Sequence, residues 1–89
     1  MFSVSLGNKA KKFLKSLDKK FKEKIDSVFE TLEKNPWPAQ EYDLAKIAGM
    51  EDCYRIRLGK FRINYHIDTD ASEITVYRIE KKKDTTYKH

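Results

Sequence analysis

The chain has 89 residues, of which 19 are Lys or Arg and 14 are Asp or Glu, giving a net charge of +5 and a pI near 9.3. A chain this short is one domain, 1–89, that buries only about 60 to 65% of its unfolded surface, so a long, deep catalytic cleft is excluded and a shallow surface suited to a polymeric substrate is expected. One cysteine, Cys53, excludes an internal disulfide and a cysteine-based zinc site, and no apolar run is long enough to span a bilayer.

In chain order, Phe2, Val4 and Leu6 alternate with Ser3 and Ser5, the pattern of a short strand. This opening segment lacks the charged start and long apolar stretch of a signal peptide, so a cytoplasmic protein is expected. Gly7-Asn8 breaks the strand and offers a helix N-cap, and Ala10, Phe13, Leu14 and Leu17 follow at helical spacing. Asp18 signals a second start, ahead of a stripe of Phe21, Ile25, Val28, Phe29 and Leu32 that stops at Asn35-Pro36. Two helices joined by almost no loop form an antiparallel pair with Lys9, Lys11, Lys12, Lys15, Lys19, Lys20, Lys22 and Lys24 outward. That lysine face reads either as solvated surface charge, of the kind thermophilic chains carry, or as a nucleic-acid contact.

Residues 35 to 53 read as loop, with Pro36-Trp37-Pro38 a stiff segment and Ala45 to Gly49 a short turn of helix. Trp37 either packs over the helix ends or stacks a base. Cys53 reads as a small buried filler just before a strand.

From Tyr54 to Ile67 the chain reads as a β-hairpin with one apolar and one cationic face. Apolar residues fall at 54, 56, 58, 61, 63, 65 and 67, and Gly59-Lys60 is a two-residue turn with glycine first, the type II′ signature. That turn sets 58 opposite 61, 57 opposite 62, 56 opposite 63 and 55 opposite 64. Arg57 and Arg62 then face each other, with Arg55, Asn64 and His66 on the same side. Like charges so placed cost about 0.2 to 1 kcal/mol, which points to an anion that joins them. A turn at Asp68 to Ser72 leads to a last strand from Glu73 to Glu80, with Ile74 and Val76 on one parity and Tyr77 and Ile79 on the other. Such mixing is expected of a central strand covered on both sides. The order is β-α-α-β-β-β, an α+β fold with a helical pair on one face of a small, mostly antiparallel sheet and the arginine face left open.

Charge is distributed unevenly. Residues 1 to 53 carry ten Lys and Arg against nine Asp and Glu, and residues 54 to 89 carry nine against five. All four arginines, Arg55, Arg57, Arg62 and Arg78, lie in the second part, and arginine is the residue of forked phosphate recognition.

No metal or cofactor motif is evident: His66 and His89 are the two histidines, neither with a second ligand at suitable spacing, and no glycine-rich phosphate loop or nucleophilic pair occurs. An enzyme built from these residues works with cations and a phenol. RNA cleavage without metal needs a base for the 2′-hydroxyl, positive charge on the phosphorane and an acid for the departing 5′-oxygen. Guanidinium groups meet the second need and lower a nearby tyrosine pKa, which makes Tyr87, in the lysine-rich tail, the candidate base; the alternative is an idle residue in a frayed end.

Tyr54-Arg55-Ile56-Arg57-Leu58-Gly59-Lys60-Phe61-Arg62-Ile63-Asn64-Tyr65 resembles the signature of the RelE/ParE superfamily of toxin-antitoxin toxins. Lys46-Ile47-Ala48-Gly49 and Lys82-Lys83-Asp84-Thr85-Thr86-Tyr87 match two further blocks, so the resemblance spans essentially the whole chain. The RelE branch implies a ribosome-dependent mRNA interferase that leaves 2′,3′-cyclic phosphate ends without metal and is neutralised by a RelB-like antitoxin. By position, the resemblance assigns Arg55 and Arg57 to charge stabilisation, Arg62 to the scissile phosphate, Lys81 to the general acid and Tyr87 to the base. Lys82, Lys83, Asn64, His66 and Arg78 become candidate RNA contacts. Two departures matter: 55 and 57 are arginine where the best-known nucleases carry lysine, and the tail has three lysines and no arginine, leaving Lys81 or Lys82 as the acid. The other readings are a ParE-like inhibitor of DNA gyrase and a degenerate RNA-binding module.

Overall fold

The computed structural model describes residues 1–82. Its elements are β1 (Ser3–Leu6), α1 (Asn8–Lys15), α2 (Lys19–Lys34), β2 (Asp43–Lys46), β3 (Cys53–Leu58), β4 (Phe61–Asp68) and β5 (Glu73–Lys81). The strands form one sheet in the order β1-β5-β4-β3-β2, with β1 parallel to β5 and every other pair antiparallel. Both helices cover one face. The expected α+β architecture stands, extended by one strand.

The helices follow their apolar spacing. Ile25, Val28 and Leu32 of α2 and Ala10 of α1 are fully buried against Ile56, Ile63, Tyr65, Ile67, Ile74, Val76 and Ile79 of the sheet. Gly7 and Asp18 cap the two helices through backbone alone, Lys11 N–H reaching the Gly7 carbonyl at 2.9 Å and Lys22 N–H the Asp18 carbonyl at 3.0 Å. α2 ends where Pro36 forces Asn35 into extended backbone, φ −147° and ψ 102°. The Asn35 side chain then accepts Trp37 N–H at 3.0 Å, and the buried Tyr65 hydroxyl donates to the Pro36 carbonyl at 2.8 Å. Trp37 stays 43% exposed and meets Phe2 edge-on, with centroids 6.4 Å apart.

The hairpin matches its expected register pair by pair, Leu58↔Phe61 through Arg55↔Asn64. Gly59 has φ +61° and Lys60 does not share the positive sign, which distinguishes a II′ turn from a I′ turn. Phe61 pins the tip beneath both helices, against Phe13 at 6.3 Å and Phe21 at 5.1 Å.

Two local expectations give way. Residues 43 to 46 form an edge strand in the stretch read as loop and helical turn. Asp-Leu-Ala-Lys has little intrinsic β preference, and pairing with β3, with Leu44 packed against the core, supplies it. The mixed parity of β5 comes from a β-bulge, not from cover on both sides: Asn64 pairs with Arg78 and Tyr65 with Val76, which leaves Tyr77 as the extra residue. Ile74, Val76 and Ile79 therefore all face the core.

Candidate functional site

The face away from the helices is a lattice of rows set by strand register. One row crosses four strands as Asp43, Arg57, Arg62 and Glu80; the next runs Ala45, Arg55, Asn64 and Arg78; a third holds Cys53, His66 and Thr75. All four arginines of the chain thus share one face, although they come from three strands.

The first row explains how the opposed arginines are tolerated. Arg57 and Arg62 are cross-strand neighbours, and each has an acid on its outer side. Asp43 Oδ2 lies 3.2 Å from Arg57 Nε, while the Glu80 carboxylate turns to Arg78 Nε at 2.8 Å. These side chains are 38 to 62% exposed, so each pair contributes less than about 1 kcal/mol. The acids flank the cationic centre without cancelling it, because Arg55 and Arg62 form no ion pair among the described residues. Arg55 Nε and Asn64 Oδ1, opposite each other in the second row, are enclosed without hydrogen-bond partners. Such atoms carry a desolvation cost of about 1 to 3 kcal/mol, and polar ligands relieve it.

The sequence-derived residues divide by position. Arg55, Arg57, Arg62, Asn64, His66 and Arg78 come together on the open face. Lys81 does not: its partner in the sheet is Phe61, and it lines a groove of about 560 Å³ on the helix side together with Phe21, Lys24, Tyr42 and Leu58. Lys82 follows the strand, exposed, with its N–H bonded to the Lys60 carbonyl at 2.6 Å. Lys83 and Tyr87 lie outside the described residues. Among the described residues no three of His, Cys, Asp and Glu gather as metal ligands.

Three contributors escaped the sequence. Asp43 was hidden by the unread strand, and Glu80 needed the register of β5. Tyr77 joins Arg78 on the face through the bulge, whose trace in the sequence is the three-residue step between the inward Val76 and Ile79. Burial raises the Tyr77 phenol pKa, as does the neighbouring Cys53 thiol, against a smaller lowering by Arg78. It therefore keeps its proton at neutral pH and is a poor general base.

Known proteins resemble this chain in sequence and fold. A family described as ParE toxin of type II toxin-antitoxin system, parDE, matches residues 4–85. A protein of Methanocaldococcus jannaschii described as a RelE1 toxin is 32% identical over 82 residues, 92% of this chain and 91% of its own. Among solved structures, the archaeal RelE-RelB complex from Pyrococcus horikoshii OT3 superposes with a TM-score of 0.84 at 26% identity, covering 94% of this chain and 98% of that one. The isolated E. coli RelE toxin superposes with a TM-score of 0.79, covering 96% of this chain and 88% of its own; at 20% identity it speaks for the fold alone.

Proposed function

The chain belongs to the RelE/ParE superfamily of toxins of type II toxin-antitoxin systems, and from that premise we propose that it is a ribosome-dependent mRNA interferase that cuts RNA without metal. The observation that carries this reading is the gathering of Arg55, Arg57 and Arg62 on one open face, with two of them directly opposed. A phosphate between Arg57 and Arg62 converts their repulsion into a clamp.

In the proposed reaction the 2′-oxygen attacks the adjacent phosphorus and loses its proton to the Tyr87 phenolate. The P–O5′ bond breaks, the 5′-oxygen takes a proton from a lysine, and the products carry a 2′,3′-cyclic phosphate and a 5′-hydroxyl. Arg62 braces the scissile phosphate, while Arg55 and Arg57 stabilise the phosphorane charge; guanidinium groups remain protonated, so none of them moves a proton. Because Lys81 faces the helix side, Lys82 takes the role of acid. His66, Asn64, Arg78 and Lys83 bind the flanking strand. The RelB found with RelE in the relative from Pyrococcus horikoshii supports a RelB-like antitoxin as the partner that holds this toxin silent.

The test is a translation extract that keeps the magnesium its ribosomes need, with toxin stripped of bound metal by EDTA and dialysis before it is added. Cleavage of ribosome-bound message with cyclic phosphate ends is expected, and Arg62→Ala should lower its rate by about 10²- to 10³-fold, the range for loss of one donor to a developing oxyanion. Tyr87→Phe should abolish cleavage, and full activity in either variant overturns the mechanism. The ParE description of the matching family favours a second reading, gyrase inhibition, which an assay of DNA supercoiling decides. RNA binding with intact products marks a degenerate module.

A further inference from the structure

Tyr77 shares the arginine face with its neighbour in sequence, Arg78, which a regular strand does not allow. The inward residues Val76 and Ile79 are three apart, so Tyr77 and Arg78 both fall to the open side. Cys53 belongs to that side as well, by its pairing with His66 and its parity with Arg55 and Arg57, yet it is only 5% exposed. Something lies over it, and the group in contact with its thiol is the Tyr77 phenol. β4 runs between β5 and β3, a separation of two strand spacings or about 9.5 Å. A tyrosine covers that distance only by lying along the sheet, across β4 between the rows of Asn64 and His66. Tyr77 is half-buried, and a ring laid across β4 keeps one face open, among the register positions of Arg55, Arg78 and His66.

We infer that Tyr77 is a stacking platform for one base of the RNA strand whose phosphates the arginines hold. This deepens the RNA-cutting reading and rests on it. A cationic groove beside an aromatic surface is the general means of gripping single-stranded nucleic acid, since every base has a π-face. The bulge sets it beside the cations: alternation after Val76 turns Tyr77 outward, and the extra residue keeps Arg78 and Glu80 on that same face instead of turning Arg78 inward. A phenol that keeps its proton adds no negative charge beside the phosphates, which suits a platform and leaves proton abstraction to Tyr87.

The experiment crosses protein variants with message variants in the translation extract. Messages carry ordinary bases or a single abasic residue at each codon position in turn, and the intact protein, Tyr77→Phe and Tyr77→Leu are compared by kcat/KM. On ordinary message Tyr77→Phe should stay within about twofold of the intact protein, and Tyr77→Leu should fall by about 5- to 100-fold, the range for one lost base stack. At one abasic position the intact protein should slow to the level of Tyr77→Leu, and Tyr77→Leu should show no further loss. Additive losses at every position overturn the platform while leaving the RNA-cutting reading intact. Failure of the intact protein to cut ordinary message overturns that reading itself. Should Tyr77→Leu prove unfolded by its urea midpoint, Tyr77→Trp decides the matter: it must retain the difference between ordinary and abasic message, and its loss refutes the inference.

Discussion

Replacing Asp43 by Asn should move stability and RNA binding in opposite directions. The Asp43 carboxylate lies 3.2 Å from Arg57 Nε, but the two side chains are 60% and 56% exposed, so the lost ion pair is worth about 0.2 to 1 kcal/mol after screening. Its removal also leaves the Arg57 to Arg62 opposition less relieved on the β3 side, a further cost of about 0.2 to 1 kcal/mol. Together these should destabilise the fold by about 0.4 to 2 kcal/mol and lower the melting temperature by about 2 to 16 °C. The same change adds one unit of positive charge to the open face and releases the Arg57 guanidinium to a phosphate. RNA affinity should rise severalfold at low salt, with the slope of log affinity against log salt steepening by about 0.7. Urea melts and salt-dependent binding of a single-stranded oligonucleotide read the two quantities separately. Weaker binding with an unchanged slope would refute the view that the acid rows flank, rather than build, the cationic site.

Three other outcomes are expected. Arg62→Ala, besides slowing cleavage, should raise the unfolding free energy read from urea melts slightly, by about a few tenths of a kcal/mol, since it removes one of two opposed charges; a loss above about 1 kcal/mol would mean that Arg62 holds the fold together. Gly59→Ala should cost about 1 to 2 kcal/mol with no change in the affinity of other sites, because nothing lies within 4 Å of a Cβ there and the penalty is the +61° backbone alone. Burial, then the neighbouring Tyr54, pushes the Tyr65 phenol well above its ordinary value of 10.0. The folded state therefore holds that proton more tightly than the unfolded chain. Stability is fully present below pH about 10 and falls as pH rises beyond it, by up to about 1.4 kcal/mol per pH unit. Urea midpoints between pH 9 and 11 should fall for the intact protein and fall less for Tyr65→Phe; parallel curves would count against this assignment.

Much of the architecture was legible because its causes are local. Gly59-Lys60 admits a II′ turn, and period-two alternation on either side of it dictates which residues oppose each other, so the Arg57 and Arg62 pair could be named before any coordinates. The stripe from Phe21 to Leu32 likewise declares its own buried side. The second strand was not legible, since Asp43–Lys46 has one packed apolar residue and becomes a strand only by accepting the edge of β3. The bulge left a trace in the spacing of Val76 and Ile79, but a mixed parity has two readings until the partner strand is known.

By itself the sequence determined the helical pair, the hairpin register and the gathering of Arg55, Arg57 and Arg62 on one side, because turn type and side-chain periodicity act within a few residues. Only the tertiary structure decided that Asp43 and Glu80 close the arginine row, that Lys81 stands on the far side from it, and that Tyr77 and Arg78 share its face. Each of these depends on which strand meets which, and in what register, over separations of 14 to 20 residues, or on one extra residue in a ladder. Interactions of that range are selected by burial of the whole sheet against the helices, not by the local preferences of the residues they bring together.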